Sequence, residues 1–199
     1  MHVKPIAGRL AKLVRHGAGA SSCTNNLMHL LPEHRGVLSL DHLSSPRDMA
    51  LVLDNARRLQ RMARAGDIQP LLRGKKLGLL CEDDTEPQAT LFRRAAVQLG
   101  AHVAHIRPSL AGLRTPEDVQ HTAHMLGRLY DALECQGMAS AVVRQLRRAA
   151  GIPVYDGIAS PDHPTAALAG SLADDGPAAD CRCFVLQAAL LQTTANLWA

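Results

Sequence analysis

Residues 75–106, "KKLGLLCEDDTEPQATLFRRAAVQLGAHVAHI", decide how this chain is read. The run 75–81 is short and apolar with no helical stripe, so it reads as a buried strand. Residues 85–100 follow as a helix: Thr85 and Gln88 are spaced as a capping box, Pro87 is tolerated in the first turn, and Gly100 stops it. "AHVAHI", 101–106, is a second strand. A strand, a helix and a strand within about thirty residues form a crossover unit, which joins parallel strands.

The pattern continues outward in both directions. Thr115 caps a helix over 116–130 whose Glu117 and Asp118 suit the positive end of the helix dipole. "DALEC", 131–135, is a third strand, 140–151 is a helix ending at Gly151, and "IPVYDG", 152–157, is a fourth strand. Upstream, Ser45 is an N-cap with Pro46 at the first helical position. Met49, Leu51, Leu53, Ala56, Leu59 and Met62 then form an apolar stripe, and Gly66 ends the helix. The expected class is α/β, a mostly parallel sheet with right-handed crossovers and helices on both faces. In such a sheet ligands sit at the carboxyl ends of the strands beside helix N-termini, which directs attention to loops 82–88, 107–115, 135–140 and 157–165.

Composition narrows the function. With 47% apolar and 20% charged residues in 199, the chain reads as soluble and globular, and no apolar run is long enough for a membrane span. A net charge of +4 and pI near 9.0 invite nucleic acid, but the basic residues are scattered and only 3% are aromatic, so no nucleic-acid partner is expected. The five cysteines are too few and irregular for a disulfide framework and read as reduced thiols. Neither the Cys181/Cys183 pair nor the His121/His124 pair has a further ligand near it in sequence, so no metal or cofactor is expected. Residues 1–35 form a basic N-terminal extension with Lys4, Arg9, Lys12 and Arg15 and no acidic residue before Glu33. That composition fits either a disordered extension of a cytoplasmic protein or a targeting segment for the mitochondrial matrix.

Three segments carry a resemblance. "RGVLSLDHLSSPRDMALVLDNARRLQ", "LRGKKLGLLCEDDTEPQATLFRRAAVQLGAH" and "GIPVYDGIASPDHPTAALAG" resemble, in that order, parts of the N-terminal carbamoyl-phosphate-binding domain of the aspartate and ornithine carbamoyltransferases. The likeness covers roughly 36–172. It implies a domain over 36–175, a three-layer sandwich, carbamoyl phosphate or a variant of it as small-molecule ligand, and a trimer. Residues 176–199 are then a linker and a C-terminal helix packing back on the domain. That tail is apolar on most sides through Phe184, Val185, Leu186, Ala189, Leu190 and Leu197 and is similar to the family's last helix. Family enzymes carry a second α/β domain between these two parts. Carried over residue by residue, the substrate-binding positions are Thr85, Gln88, Gln136, His163 and Pro164, with His163 also the catalytic candidate.

The sequence departs from the family at the site. Thr85, Glu86, Pro87, Gln88 and Ala89 stand where the family has S-T-R-T-R. Both arginines are replaced, Pro87 lacks a backbone donor, and Glu86 adds charge beside Asp83 and Asp84. Each lost charge-assisted phosphate contact costs about 1.5–3 kcal/mol, so two cost a hundredfold or more in affinity. Gln136, or Glu134 in a shifted register, replaces a further arginine, and Ala166 replaces the glutamine of the H-P-x-Q motif. His163 and Pro164 are then either the surviving half of that motif or a strand-to-helix cap. The cluster Glu82, Asp83, Asp84 and Glu86 either faces a cationic ligand or is a solvated first turn complementing the dipole.

The resemblance therefore implies a carbamoyltransferase relative with an eroded carbamoyl-phosphate site, catalytically impaired, acting as a binding or assembly subunit. Its partners would be copies of itself in a homotrimer or an intact paralogue in a hetero-oligomer. The alternative is an active carboxyl- or carbamoyltransferase of amino-acid metabolism with a changed substrate, or with a site completed by a partner subunit. A third reading is an adaptor using the basic N-terminal arm.

Overall fold

The computed structural model describes residues 45–67, 69–109, 111, 113–172 and 178–194. The basic extension 1–35, the start of the expected linker and Leu197 lie outside the described residues. Helix α1 (Pro46–Arg64) leads into a repeating series: β1 (Lys76–Leu80), α2 (Pro87–Gln98), β2 (His102–Ile106), α3 (Pro116–Leu129), β3 (Ala132–Cys135), α4 (Ser140–Ala150) and β4 (Val154–Asp156). A short α5 (Thr165–Gly170) and a long α6 (Ala178–Thr194) complete it. The strands form one sheet in the order β2-β1-β3-β4, and all three pairings are parallel, as the alternation of strands and helices predicts.

The pleat of β1 divides the core. Leu77 and Leu79 join Val52, Ala56, Phe92 and Leu186 on one side. Leu80 joins Leu126, Leu133, Val143 and Leu146 on the other. This alternation follows from the period of two in a strand. Helix α6 is the centre of the first layer, packing on α1, α2 and α5. It is buried along nearly its whole described length, so it carries no polar stripe. Its Thr193 and Thr194 hydroxyls donate back to carbonyls of the preceding turn, and Thr193 also bonds the buried Tyr155 hydroxyl. In the second layer α3 and α4 approach so closely that a Cβ at Gly127 would lie 1.9 Å from the Ala150 carbonyl oxygen.

Two local expectations change. Helix α2 is capped by Glu86 without a side-chain hydrogen bond, so Thr85 and Gln88 form no capping box. Asp83 takes both the Thr85 amide and its hydroxyl, at 2.8 and 2.7 Å, in an Asx turn that competes with the cap. Pro164 is the N-cap of α5, with φ −52° and ψ −29°. At α3 the cap is fuller than expected: Thr115 and Asp118 bond each other's backbone amides in a reciprocal box. Among the described residues no helix is long and apolar enough to cross a membrane.

Candidate functional site

The carboxyl ends of β1, β3 and β4 converge with the N-terminus of α2 and the start of α6. On the β1 side the acidic residues are bound by the fold itself. Glu82 accepts from the Ser109 amide at 2.7 Å and from its hydroxyl at 2.8 Å. Asp84 pairs with Arg93 at 2.5 Å, and this bond holds its carboxyl below the usual range. The two bonds from Thr85 do the same for Asp83. Three of the four carboxylates thus pin loops rather than simply face solvent. Helix α2 begins with Pro87, so its first turn offers the amides of Gln88 and Ala89 to a ligand, one fewer than an ordinary helix.

On the β3 and β4 side the polar groups form a buried network. Glu134 is fully buried. Its carboxylate accepts from Gln136 Nε2 at 3.1 Å and from the amides of Ile158 and Ala159 at 3.3 and 3.4 Å. Burial dominates these bonds and pushes its carboxyl up to about 7. The same loop is held from outside by Arg182 on α6, which donates to the carbonyls of Ala159 and Ser160 at 2.8 and 3.0 Å. The loop is therefore gripped by its amides from the sheet and by its carbonyls from α6.

His163 hangs from this loop. Its Nδ1 accepts from the Thr165 amide at 3.2 Å, which places the ring proton of the neutral form on Nε2. The Thr165 hydroxyl lies 2.9 Å from the same nitrogen and also within reach of the Ile158 carbonyl. Burial, and then the positive charge of Arg182, lower the imidazole pKa. His163 is thus a neutral, half-buried ring with a fixed tautomer, able to donate from Nε2 to a carbonyl or anionic oxygen.

Two cavities flank the network. The larger, about 730 Å³, is bounded by Pro87, Gln88 and Leu91 of α2, by Pro161, and by Arg94 and Arg182. Arg94 is paired with Asp180 at 3.3 Å. Beyond the two carbonyl bonds of Arg182, its Nε is buried without a hydrogen-bond partner, and desolvation lowers its pKa. A half-buried guanidinium beside a cavity favours an anion. The smaller cavity, about 290 Å³, lies between the β2–α3 and β3–α4 loops and is lined by Glu82, Ser109 and Gln136 among others.

The expected site residues are therefore distributed rather than clustered. Gln88 lines the larger cavity and Gln136 the smaller. The Thr85 hydroxyl is committed to Asp83, and Pro164 is exposed on the surface. Gln136 and His163 are joined only through Glu134, the loop 158–160 and Thr165. Sequence reading missed the role of Arg182, whose signal is a charge within the apolar run of α6, and that of Glu134, a carboxylate in a strand buried on both faces. Cys181 and Cys183 are both buried, their thiols donating to the Leu172 carbonyl and to Gln98. His121 and His124 are exposed on α3. Among the described residues no three metal-ligating side chains converge.

This geometry defines a parallel α/β domain with its candidate site at the carboxyl edge of the sheet. Comparison with known proteins gives the family. Residues 35–173 match the family described as aspartate/ornithine carbamoyltransferase, carbamoyl-P binding domain. An ornithine carbamoyltransferase of Actinobacillus pleuropneumoniae is 37% identical over 140 residues, covering 70% of this chain and 42% of that protein. Among solved structures, ornithine carbamoyltransferase from Thermus thermophilus is 27% identical with TM-score 0.53, over 65% of this chain and 44% of that one. The enzyme from Pyrococcus furiosus, 24% identical with TM-score 0.57 over 65% and 41% of the two chains, shares the fold. The chain belongs to the aspartate/ornithine carbamoyltransferase family. It spans about two fifths of the length of the curated relatives it matches.

Proposed function

We propose that this chain has an eroded carbamoyl-phosphate site, is impaired in carbamoyl transfer on its own, and serves as a binding or assembly subunit. The observation that carries this reading is the first turn of α2. It presents two free amides and a glutamate cap, its Thr85 hydroxyl is bound to Asp83, and Arg93 is paired with Asp84. Transfer from carbamoyl phosphate needs positive charge where the phosphate leaves and a polarised carbamoyl oxygen. The neutral His163 supports the second requirement, while the α2 loop does not supply the first. The assembly would be a homotrimer, or a hetero-oligomer with an intact paralogue able to lend cations to the site.

Arg182 favours a second reading, an active transferase with a changed substrate or with a site completed by a partner subunit. It brings a half-buried guanidinium to the loop that carries His163. Phosphate release from carbamoyl phosphate in the presence of ornithine or aspartate separates the two. The first reading expects no turnover by the chain alone, and at least a tenfold gain in carbamoyl-phosphate affinity when Glu86→Thr and Pro87→Arg restore a cation and a donor. Turnover by the unmodified chain alone would establish the second.

A further inference from the structure

We propose that Glu134 and Gln136 form a proton-operated clasp on the loop 158–160, which leads to His163. In the ionised form Glu134 Oε1 accepts from Gln136 Nε2 at 3.1 Å and from the Ala159 amide at 3.4 Å, and Oε2 accepts from the Ile158 amide at 3.3 Å. All four residues are buried, so a bond lost here is not readily replaced by bulk water. The same arrangement strands an acceptor, because Gln136 Oε1 is buried without a hydrogen-bond partner. One network thus holds a carboxylate that accepts three bonds and, beside it, an amide oxygen that lacks a donor.

A proton reverses the fit. The neutral carboxyl has an O–H to donate, and half a turn of the Gln136 amide brings its oxygen to the place of Nε2, 3.1 Å from Glu134 Oε1. The proton, taken up from solvent, then sits on Glu134 Oε1 and is donated to Gln136 Oε1. Ala159, which shares Glu134 Oε1, loses its charged acceptor, while Ile158 keeps Oε2 as a neutral one. Hydrogen bonds to an ionised group are about twice as strong as neutral ones, so ionisation tightens the loop and protonation loosens its Ala159 end. Both forms are reached near neutral pH, since burial raises the carboxyl to about 7 against the bonds that lower it. Asp156 on β4 acts on Glu134 with like charge and favours the protonated form. Burial holds the protons of Cys81, Cys135 and Tyr155 more tightly, and burial and Arg182 push the His163 imidazole down. Arg182 grips the carbonyls of Ala159 and Ser160, so the proton acts on the amide side of the loop alone. The clasp works whatever ligand the site takes and does not rest on the carbamoyl-phosphate reading.

The test is an NMR titration of the full chain, labelled with ¹³C and ¹⁵N, from pH 5 to pH 9. The Glu134 Cδ signal, the Ile158 and Ala159 amide protons and the Gln136 side-chain amide protons are expected to shift with one common midpoint near 7. The backbone amide protons should move downfield as pH rises, Ala159 further than Ile158. Asp156→Asn is expected to move the midpoint down, and Glu134→Gln to abolish the transition in the loop and at Gln136. The proposal is overturned by a Glu134 carboxyl that does not titrate in this range, or by loop amides that do not follow it. It is equally overturned by a Gln136 side chain that stays still while they move, by an Ile158 shift as large as that of Ala159, or by a transition that survives in Glu134→Gln. The comparison of midpoints uses the unmodified chain and so does not depend on either variant folding.

Discussion

Replacing Glu134 by glutamine separates the charge of this side chain from its shape. The carboxyl has an ordinary value of 4.5 when the chain is unfolded and about 7 in the folded protein, where it is completely buried. Below pH 4.5 both states hold the proton and the group is neutral to stability. As pH rises from 4.5 to 7 the unfolded chain releases its proton while the folded chain retains it, so rising pH favours unfolding. Above pH 7 the full difference is felt. At about 1.4 kcal/mol per tenfold in proton affinity, this amounts to about 3 kcal/mol of native stability lost between pH 4.5 and 8. Glutamine keeps the volume and the acceptor for Gln136 but cannot ionise. Urea unfolding at pH 5 and pH 8 should therefore show the variant gaining about 2.5 kcal/mol over the parent between the two values. Parallel pH profiles for the two proteins would refute the assignment of Glu134 as a buried titrating carboxyl.

Three further outcomes are expected. Gly127→Ala drives a Cβ to 1.9 Å from the Ala150 carbonyl; the resulting overpacking outweighs the roughly 1 kcal/mol by which alanine favours a helix, so thermal unfolding should show a lower Tm, and an unchanged or higher Tm would contradict the close α3–α4 contact. Arg182→Gln removes a positive charge that acts on His163, so the imidazole should titrate at higher pH by NMR, partway toward its ordinary value since burial is the larger cause. Thr115→Ala breaks the reciprocal cap of α3 and should cost about 1 kcal/mol in chemical unfolding, with an unchanged midpoint contradicting that cap.

The fold was legible because its signals are local. In β1 the four apolar or small residues between Lys76 and Cys81, and in α1 the Ser45–Pro46 start and the apolar stripe, each state their structure within one element. The α2 cap was misread because Asp83 competes for Thr85, a contest between two local hydrogen-bond patterns that spacing alone does not decide. The site was less legible because its residues meet through tertiary folding. Arg182 reaches the loop at 159–160 only because α6 packs beside α2 and α5. Glu134 becomes a network centre only because β3 is a central strand whose carboxyl end meets the turn after β4.

Calorimetric titration of the full chain with carbamoyl phosphate, with His163→Ala alongside, tests the central claim most directly. An eroded site predicts no detectable heat of specific binding at millimolar ligand in either protein. Micromolar binding by the unmodified chain that disappears in His163→Ala would contradict it, and would establish a working carbamoyl-phosphate site built without the phosphate-loop arginines.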